Sequence, residues 1–249
     1  MSIKNRTLER GRPDYHNVRK AALSVALQDM GELAARLGST VTFDRQGEVI
    51  LLETFENTVN SRWLVTLVGA ATAAISATTA RNGASSLQLV TGAAAAQFAS
   101  IKRGFVLTEQ CKYGFEYSFS VGYLDTYKLA WDLSLSSATY NLGAFVEYDA
   151  AAQTLVVNDD GTLRTIASGL ALYEAAHIFN TAKLVVDAVT GKYSHLRLND
   201  QTYDLSAYTL ASDVPLAPYG GYATIQISTT TAAAVTGYID DVIITQNEE

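Results

Sequence analysis

The sequence is poor in the residues that define several common protein classes. Its single cysteine, Cys111, excludes an internal disulfide framework and predicts a chain made in a reducing compartment. The three histidines lie far apart, so no zinc-type Cys/His cluster is expected. Charged residues make up only 17% of the chain. Only three prolines occur, and none falls inside a predicted strand: Pro13, Pro215 and Pro218.

Long apolar runs and short catalytic motifs are also missing. The first fifteen residues carry charges with no apolar core behind them, so we expect no secretory signal peptide. The longest weakly polar run, Leu64–Ala80, is interrupted by Thr and Ser and falls short of a membrane span. No phosphate-binding loop, dinucleotide fingerprint or nucleophile elbow is present. The sequence therefore predicts neither an enzyme nor a membrane protein, and no cofactor.

Charge is distributed unevenly along the chain. Residues 1–45 carry a net +3 and the remainder carries −10, which gives the stated −7. A mildly basic arm on an acidic body predicts docking on an acidic protein neighbour, and the basic count is too low to favour nucleic-acid binding. The predicted docking residues are Lys4, Arg6, Arg10 and Arg12.

A helix is predicted between Asp14, which can cap its start, and Gly38, which can end it. Apolar residues recur there with the 4-3-4-3 spacing of a heptad seam. This seam consists of Leu23, Leu27, Met30, Ala34 and Leu37. The helix could pack on its own domain or against sister subunits. We favour the second alternative and expect a homo-oligomer, with a trimer suspected.

The rest of the chain is typical of an all-β protein. A hairpin is predicted at Val41–Leu52, and strands with turn signals follow one another from Thr54 onward. Four aromatics in Tyr113–Phe119 alternate with small or polar residues, and Leu and Trp alternate in Leu129–Leu135. Asn158–Gly161 is a strong hairpin turn. We predict an antiparallel two-sheet jelly-roll sandwich (54–249) preceded by an arm, one α-helix and a β-hairpin (1–53).

Strict alternation also predicts which side chains point inward near the C-terminus. In the strand after Thr190-Gly191, we expect Leu196 and Leu198 to be inward and Tyr193, His195 and Arg197 to be outward. In the last strand, one face is predicted to carry Tyr238, Asp240, Val242 and Ile244, and the other Ile239, Asp241 and Ile243. This prediction separates the two neighbouring aspartates.

Over roughly residues 54–247 the order and spacing of strands resembles the concanavalin A-like, laminin-G-like jelly-roll family. The matching pieces are Phe55-Glu56 before Trp63, then NGASSLQLV, AKLVVDAVTGKYSHLRLNDQTYDLS and GYIDDVII. That family includes glycan-binding modules, glycosidases and many virion surface proteins. An arm, helix and hairpin joined without a linker resemble a phage structural protein, such as a capsid decoration or cement subunit.

The resemblance leads to two functional hypotheses. The first is a non-enzymatic tailed-phage virion protein, made in the host cytoplasm, that docks on the major capsid protein through residues 1–53 and stabilises the shell. The alternative is a carbohydrate-binding module or tail-associated adhesin. Its candidate stacking residues are tyrosines in loop-like contexts: Tyr123, Tyr127, Tyr219 and Tyr222.

The positions of the carboxylates bear on two remaining possibilities, calcium binding and glycoside hydrolysis. The resemblance implies a structural calcium near Glu56 and Asp240, but Asp240 and Asp241 on a regular strand point to opposite faces and could not both chelate one ion without a bulge. We expect no metal, with calcium at Glu56 and Asp240 as the lesser alternative. Glycosidases need two carboxylates flanking the sugar bond. Glu147 and Asp149 share a face but are interpreted as a solvated strand end.

Overall fold

The computed structural model describes residues 47–57, 62–107, 110–122, 126–175, 177–214 and 219–249. These residues form sixteen β-strands in two antiparallel sheets of eight. Within these ranges there is no helix with the length and apolar character needed to cross a membrane. The predicted all-β, two-sheet fold is therefore confirmed.

The strands range from two to eleven residues. In chain order they are β1 (Glu48–Glu53), β2 (Trp63–Leu67), β3 (Thr72–Ser76), β4 (Ser86–Val90), β5 (Phe98–Phe105), β6 (Lys112–Val121), β7 (Tyr127–Ser136), β8 (Asn141–Asp149), β9 (Thr154–Asp159), β10 (Thr162–Ser168), β11 (Asn180–Asp187), β12 (Lys192–Leu198), β13 (Gln201–Asp204), β14 (Ala211–Ser212), β15 (Gly220–Thr229) and β16 (Thr236–Gln246).

Sheet A has the order β13-β12-β11-β6-β16-β4-β3, and β1 also pairs with β16. Sheet B has the order β10-β9-β8-β7-β15-β5-β2, and β14 also pairs with β8. Neighbours in both sheets are mostly distant in sequence, as in a jelly roll. β1 was assigned from the sequence to the N-terminal segment, but its register against β16, from Glu48 opposite Gln246 to Glu53 opposite Val242, makes it part of sheet A.

The core lies between the two sheets and is rich in aromatic side chains. The four alternating aromatics of β6 all belong to the core cluster, and the rings of Phe115, Tyr117 and Phe119 contact one another in succession, which confirms that they share the inner face: Tyr113, Phe115, Tyr117 and Phe119. Trp131 of β7 meets Tyr117 from the opposite sheet at 5.8 Å between ring centroids, edge to face. Each such buried side chain contributes roughly 1.5–3 kcal/mol through removal of apolar surface from water.

The predicted hairpin at Asn158–Gly161 is also confirmed. Asp159 pairs with Thr162, so the loop contains only two residues. Both of them, Asp160 and Gly161, have positive φ (44° and 86°), which matches the right-handed twist of the flanking strands. The turn therefore needs no bound ion to hold its shape.

Two bulges change part of the alternation predicted for β12 and β16: Leu196 and Leu198 face the core as predicted, but so does Tyr193. In β12 the register shifts at Ser194, because Val185 pairs with His195 and Val186 with Tyr193. In β16 it shifts at Asp241, whose φ is +51°. One extra residue in a strand reverses the face of everything beyond it. Ile239, Val242 and Ile244 consequently face the core together, while Asp240 and Ile243 share the outer face of sheet A.

The main consequence of the first bulge is the inward position of the Tyr193 side chain. The sequence predicted it to point outward, but it is 1% exposed and reaches across the core to sheet B. Its hydroxyl accepts a hydrogen bond from the Phe145 amide at 2.9 Å and donates to the Asn158 carbonyl at 2.9 Å. Tyr193 therefore links the two sheets by polar contacts inside the core.

Replacing Tyr193 by phenylalanine should lower the free energy of unfolding by about 1–3 kcal/mol, because two buried backbone groups lose their partner. Urea denaturation of the variant and the wild type measures this difference. Tyr203→Phe is a matched control, since the Tyr203 hydroxyl bonds only to the exposed side chain of Gln201 in the described contacts. Equal losses for both variants would contradict a special role for Tyr193.

Candidate functional site

The outward face of sheet B is a polar surface built from regular strands. Alternation in β7, β8 and β15 places leucine, isoleucine and Trp131 inward and mostly polar side chains outward, half-buried. We call this surface the strand face. Its central residues are Lys102, Lys128, Asp132, Ser134, Gly143, Phe145, Glu147, Asp149, Tyr222, Thr224, Gln226 and Ser228.

A cleft of about 270 Å³ opens at one end of the strand face. It is lined by Ser134, Asn141, Leu142, Gly143, Ala211, Ser212 and Asp213. The cleft exists because small residues stand opposite one another, Ser134 against Gly143 and Gly143 against Ala211. Asp213 and Ser212 are exposed at its rim, and the Asp213 amide donates to the Asn141 carbonyl at 3.0 Å. Its lining offers hydroxyl, amide and carboxylate groups.

Tyr222 lies one strand away from the cleft: it stands directly opposite Ser134 of the cleft lining in the pairing of β15 with β7, and its ring lies against β5. The Lys102 ammonium lies 4.3 Å from the centroid of its ring, a cation–π contact. Gly104 lies beside the ring, and a Cβ there would come within 3.4 Å of it. The ring is therefore held at a defined place on the sheet.

Asp132 is the acidic residue nearest the centre of the strand face. Burial raises the pKa of its carboxyl group, and hydrogen bonds from Thr224 and Ser134 together with the charge of Lys102 partly offset this effect. Phe145 stands directly opposite Asp132 on β8. The centre of the face thus combines a carboxyl group, hydroxyls and an aromatic ring.

The far end of the strand face holds one lysine between two carboxylates. Lys128 contacts Glu147 at 2.7 Å and Asp149 at 3.3 Å. The hydrogen bond to Glu147 is the main reason why the pKa of Lys128 is raised. Glu147 and Asp149 are engaged by this lysine, which fits their interpretation as a solvated strand end.

The tyrosines predicted to form one platform are not together. Tyr127 was predicted to lie in a loop, but it is the first residue of β7, is 1% exposed and packs on Tyr148. It lies seven residues along β7 from Ser134, roughly 23 Å away from the cleft. Tyr219, 56% exposed, and Tyr222 are both at the end of the sheet that holds the cleft, and Tyr222, also predicted to lie in a loop, is part of strand β15. Tyr123 lies outside the described residues.

Sequence reasoning missed most of the cleft and the central charged residues of the strand face. Asp132, Lys102, Asn141 and Asp213 carried no motif that singled them out. The signal that was present is the alternation of β7, in which Lys128, Asp132 and Ser134 fall on the face opposite the leucines. The predicted docking residues (Lys4, Arg6, Arg10, Arg12) and seam residues (Leu23, Leu27, Met30, Leu37) all lie outside the described part of the chain.

A second polar site surrounds the loop at residues 81–85, where Glu56, Asp240 and Asp241 converge; we call these three the carboxylate cluster. The bulge at Asp241 turns both aspartates toward this loop, which corrects the prediction that they point apart. Asp240 and Asp241 are 0% and 1% exposed. Burial, and then the charge of Asp240, raise the pKa of Asp241 to about 6.

The donors around the carboxylate cluster are nitrogen atoms. Asp240 Oδ2 accepts from the amides of Arg81 and Asn82 at 2.8 and 3.3 Å. Glu56 accepts from the amides of Ala84 and Ser85 at 3.0 and 3.3 Å. A Cβ at Gly83 would lie 1.9 Å from Glu56 Oε1, so this close approach needs glycine.

The guanidinium of Arg81 contacts Asp241 Oδ2 at 2.9 Å, and the Asn82 side-chain amide donates to the same oxygen at 2.7 Å. Calcium takes six to eight oxygen ligands, whereas the cluster is filled by N–H groups and one cation. No group of three His, Cys, Asp or Glu side chains suited to a metal ion is found in the described ranges. The arrangement of the carboxylate cluster therefore does not fit calcium.

Solved structures with the same architecture cover most of the chain. The cellulose-induced protein Cip1 is 14% identical over 78% of this chain and 96% of its own, with a TM-score of 0.53. A carbohydrate esterase from the Shiga toxin-encoding bacteriophage phi24B is 14% identical over 81% and 99%, with a TM-score of 0.52. An endo-β-1,4-glucuronan lyase from Trichoderma reesei is 8% identical over 80% and 95%, also at 0.52. The chain is a jelly-roll sandwich.

Neither a protein-family model nor a curated protein sequence matches the chain. The likeness to the solved structures, at 8–14% identity, shows the fold alone. It is consistent with the predicted concanavalin A-like architecture. What the chain does must therefore be argued from its own residues.

Proposed function

We propose that the sandwich binds glycans on the strand face, at the cleft beside Tyr222. The observation that carries this proposal is the cleft of about 270 Å³ with a partly polar lining, together with an aromatic ring on the neighbouring strand β15, where Tyr222 stands opposite Ser134 of that lining. Sugars are recognised by hydrogen bonds to their hydroxyls together with stacking of their apolar C–H faces on aromatic rings. Sites of this kind combine an apolar or aromatic platform with a few fixed polar groups.

Two further points support the proposal. The polar groups come from strands β7 and β8 and the adjoining β14, so they are positioned before a ligand arrives, which lowers the cost of binding. In addition, two of the similar structures belong to proteins named for carbohydrate substrates, a carbohydrate esterase and a glucuronan lyase. We infer binding without a reaction, because Glu147 and Asp149 are tied to Lys128 and are not among the residues that line the described cleft.

Replacing Tyr222 by alanine should weaken glycan binding by roughly tenfold, the loss expected for one stacking contact worth about 1–1.5 kcal/mol. A glycan array identifies a ligand with the wild-type protein, and calorimetry then compares the variants. Tyr173→Ala is the matched control, since Tyr173 is 58% exposed but lies outside the strand face. If no glycan binds the wild type, or if both variants bind equally, the proposal is wrong.

The shell-stabilising role predicted from the sequence stays a prediction. The residues assigned to capsid docking and to the oligomer seam all lie within 1–46, outside the described part of the chain. A variant lacking residues 1–38 should lose binding to the major capsid protein. Its oligomeric state, measured as particle mass by light scattering, should also change. This test is independent of the strand face, so the two hypotheses can be separated.

A further inference from the structure

The carboxylate cluster joins parts of the chain that are distant in sequence. Glu56 follows β1, the 81–85 loop connects β3 to β4, and the aspartates belong to β16. Strand β6 also takes part in this junction, because Arg81 Nη1 donates a hydrogen bond to the Ser118 hydroxyl at 2.8 Å. Three carboxylates at such a junction need positive charge or many donors, since buried unpaired charge is strongly destabilising.

Arg81 supplies both a positive charge and hydrogen-bond donors to the carboxylate cluster. Its backbone amide binds Asp240, while its guanidinium binds Asp241 and Ser118. The side chain of Arg81 is only 14% exposed, and that of Asp241 is 1% exposed. Arginine suits this place because its planar fork presents several fixed donors and keeps its charge at any physiological pH.

The oxygens left over are too few for a metal. Within the described contacts, both oxygens of Asp240 accept hydrogen bonds, as do both of Glu56. Asp241 Oδ1 is buried without a hydrogen-bond partner. One such oxygen beside a guanidinium cannot form the multi-oxygen shell that calcium requires, and the guanidinium charge repels a second cation.

We propose that Arg81 is the built-in cation of this junction, so that the sandwich closes its β1, β3–β4 and β16 elements without a divalent metal. The resemblance to the jelly-roll family implied calcium near Glu56 and Asp240. In this chain four loop amides satisfy Glu56 and Asp240, and the guanidinium of Arg81 satisfies the neighbouring Asp241. The fold should consequently be indifferent to chelators, unlike a sandwich whose junction is held by an ion.

The test compares melting temperatures in EDTA and in calcium chloride for the full-length chain. The wild type should melt at the same temperature in both, and calorimetry with calcium alone should give no saturable heat. Arg81→Met should lower the melting temperature by roughly 6–15 °C, because it leaves Asp241 buried without its cation. Arg164→Met is the control: its 3.5 Å contact with Asp159 is 57% exposed and should matter little.

Two further variants keep the proposal testable if Arg81→Met does not fold. Arg81→Lys retains the charge but not the fork, so it should melt between the wild type and Arg81→Met and stay insensitive to calcium. The double variant Arg81→Met/Asp241→Asn removes both partners and should regain at least half of the loss. A calcium-dependent rise in the wild-type melting temperature, or an Arg81→Met loss no larger than that of Arg164→Met, overturns the proposal.

Discussion

Replacing Lys183 by methionine should lower the free energy of unfolding by about 3–5 kcal/mol, the cost of leaving a buried carboxylate without its partner. Lys183 Nζ lies 2.9 Å from Oε1 and 3.0 Å from Oε2 of Glu248. Their side chains are 6% and 1% exposed. The Thr245 hydroxyl donates to the same carboxylate, which fixes the C-terminal residues over the outer face of sheet A.

Lys128→Met is the matched control for this prediction. Lys128 makes an ion pair of similar length with Glu147, 2.7 Å, but the two side chains are 34% and 20% exposed. Solvent screens such a pair, so the expected loss is below about 1 kcal/mol. The double variant Lys183→Met/Glu248→Leu should recover most of the stability lost in Lys183→Met, because no charge remains buried. Urea denaturation of the four proteins measures these differences, and equal losses for Lys183→Met and Lys128→Met would contradict the argument.

Asp241→Asn should raise the free energy of unfolding at pH 7.5, by up to about 3 kcal/mol. The folded-state pKa of Asp241 is raised from 3.8 to about 6. Between these two values the folded protein binds the proton that the unfolded chain has released, so stability falls as pH rises from about 4 to 6 and stays lower above that range. Asparagine removes the charge and tolerates the positive φ at this position.

Urea denaturation at pH 4.5, 5.5 and 7.5 tests the prediction for Asp241. The wild type should lose stability across this series, and Asp241→Asn should lose less. Part of the slope should remain, since burial also raises the pKa of Asp240. A variant less stable than the wild type at pH 7.5 would show that the ion pair with Arg81 outweighs the cost of burying the Asp241 charge.

Much of the fold follows from local patterns. The alternating aromatics of β6 and the alternating leucines of β7 define two strand faces without any tertiary information, because side chains on a strand point alternately to opposite sides. The Asp160-Gly161 turn likewise fixes the β9–β10 hairpin through its positive φ values. These features depend on residues close together in sequence, which is why the sequence predicts them.

The candidate sites depend on features that no local pattern contains. Bulges at Ser194 and Asp241 turn Tyr193 into the core and bring Asp240 and Asp241 to one loop. The bulge at Asp241 is set by the pairing of β16 with the distant strand β6, whereas the bulge at Ser194 lies within the β11–β12 hairpin. Strict alternation, applied to the same residues, gave the opposite faces. Tyr127 was likewise taken for a loop residue because the start of β7 has no marked boundary in the sequence.

The sequence by itself therefore determined the class of fold, the core strands and the tight turns, since these rest on side-chain alternation and local φ preferences. Only the tertiary structure decided which distant residues lie together: Tyr222 opposite Ser134 of the cleft, Arg81 against Asp241, and Lys183 against Glu248. The physical reason is that these contacts join residues separated by up to about 160 positions. Their partners are chosen by strand order and register, which arise from the packing of two whole sheets.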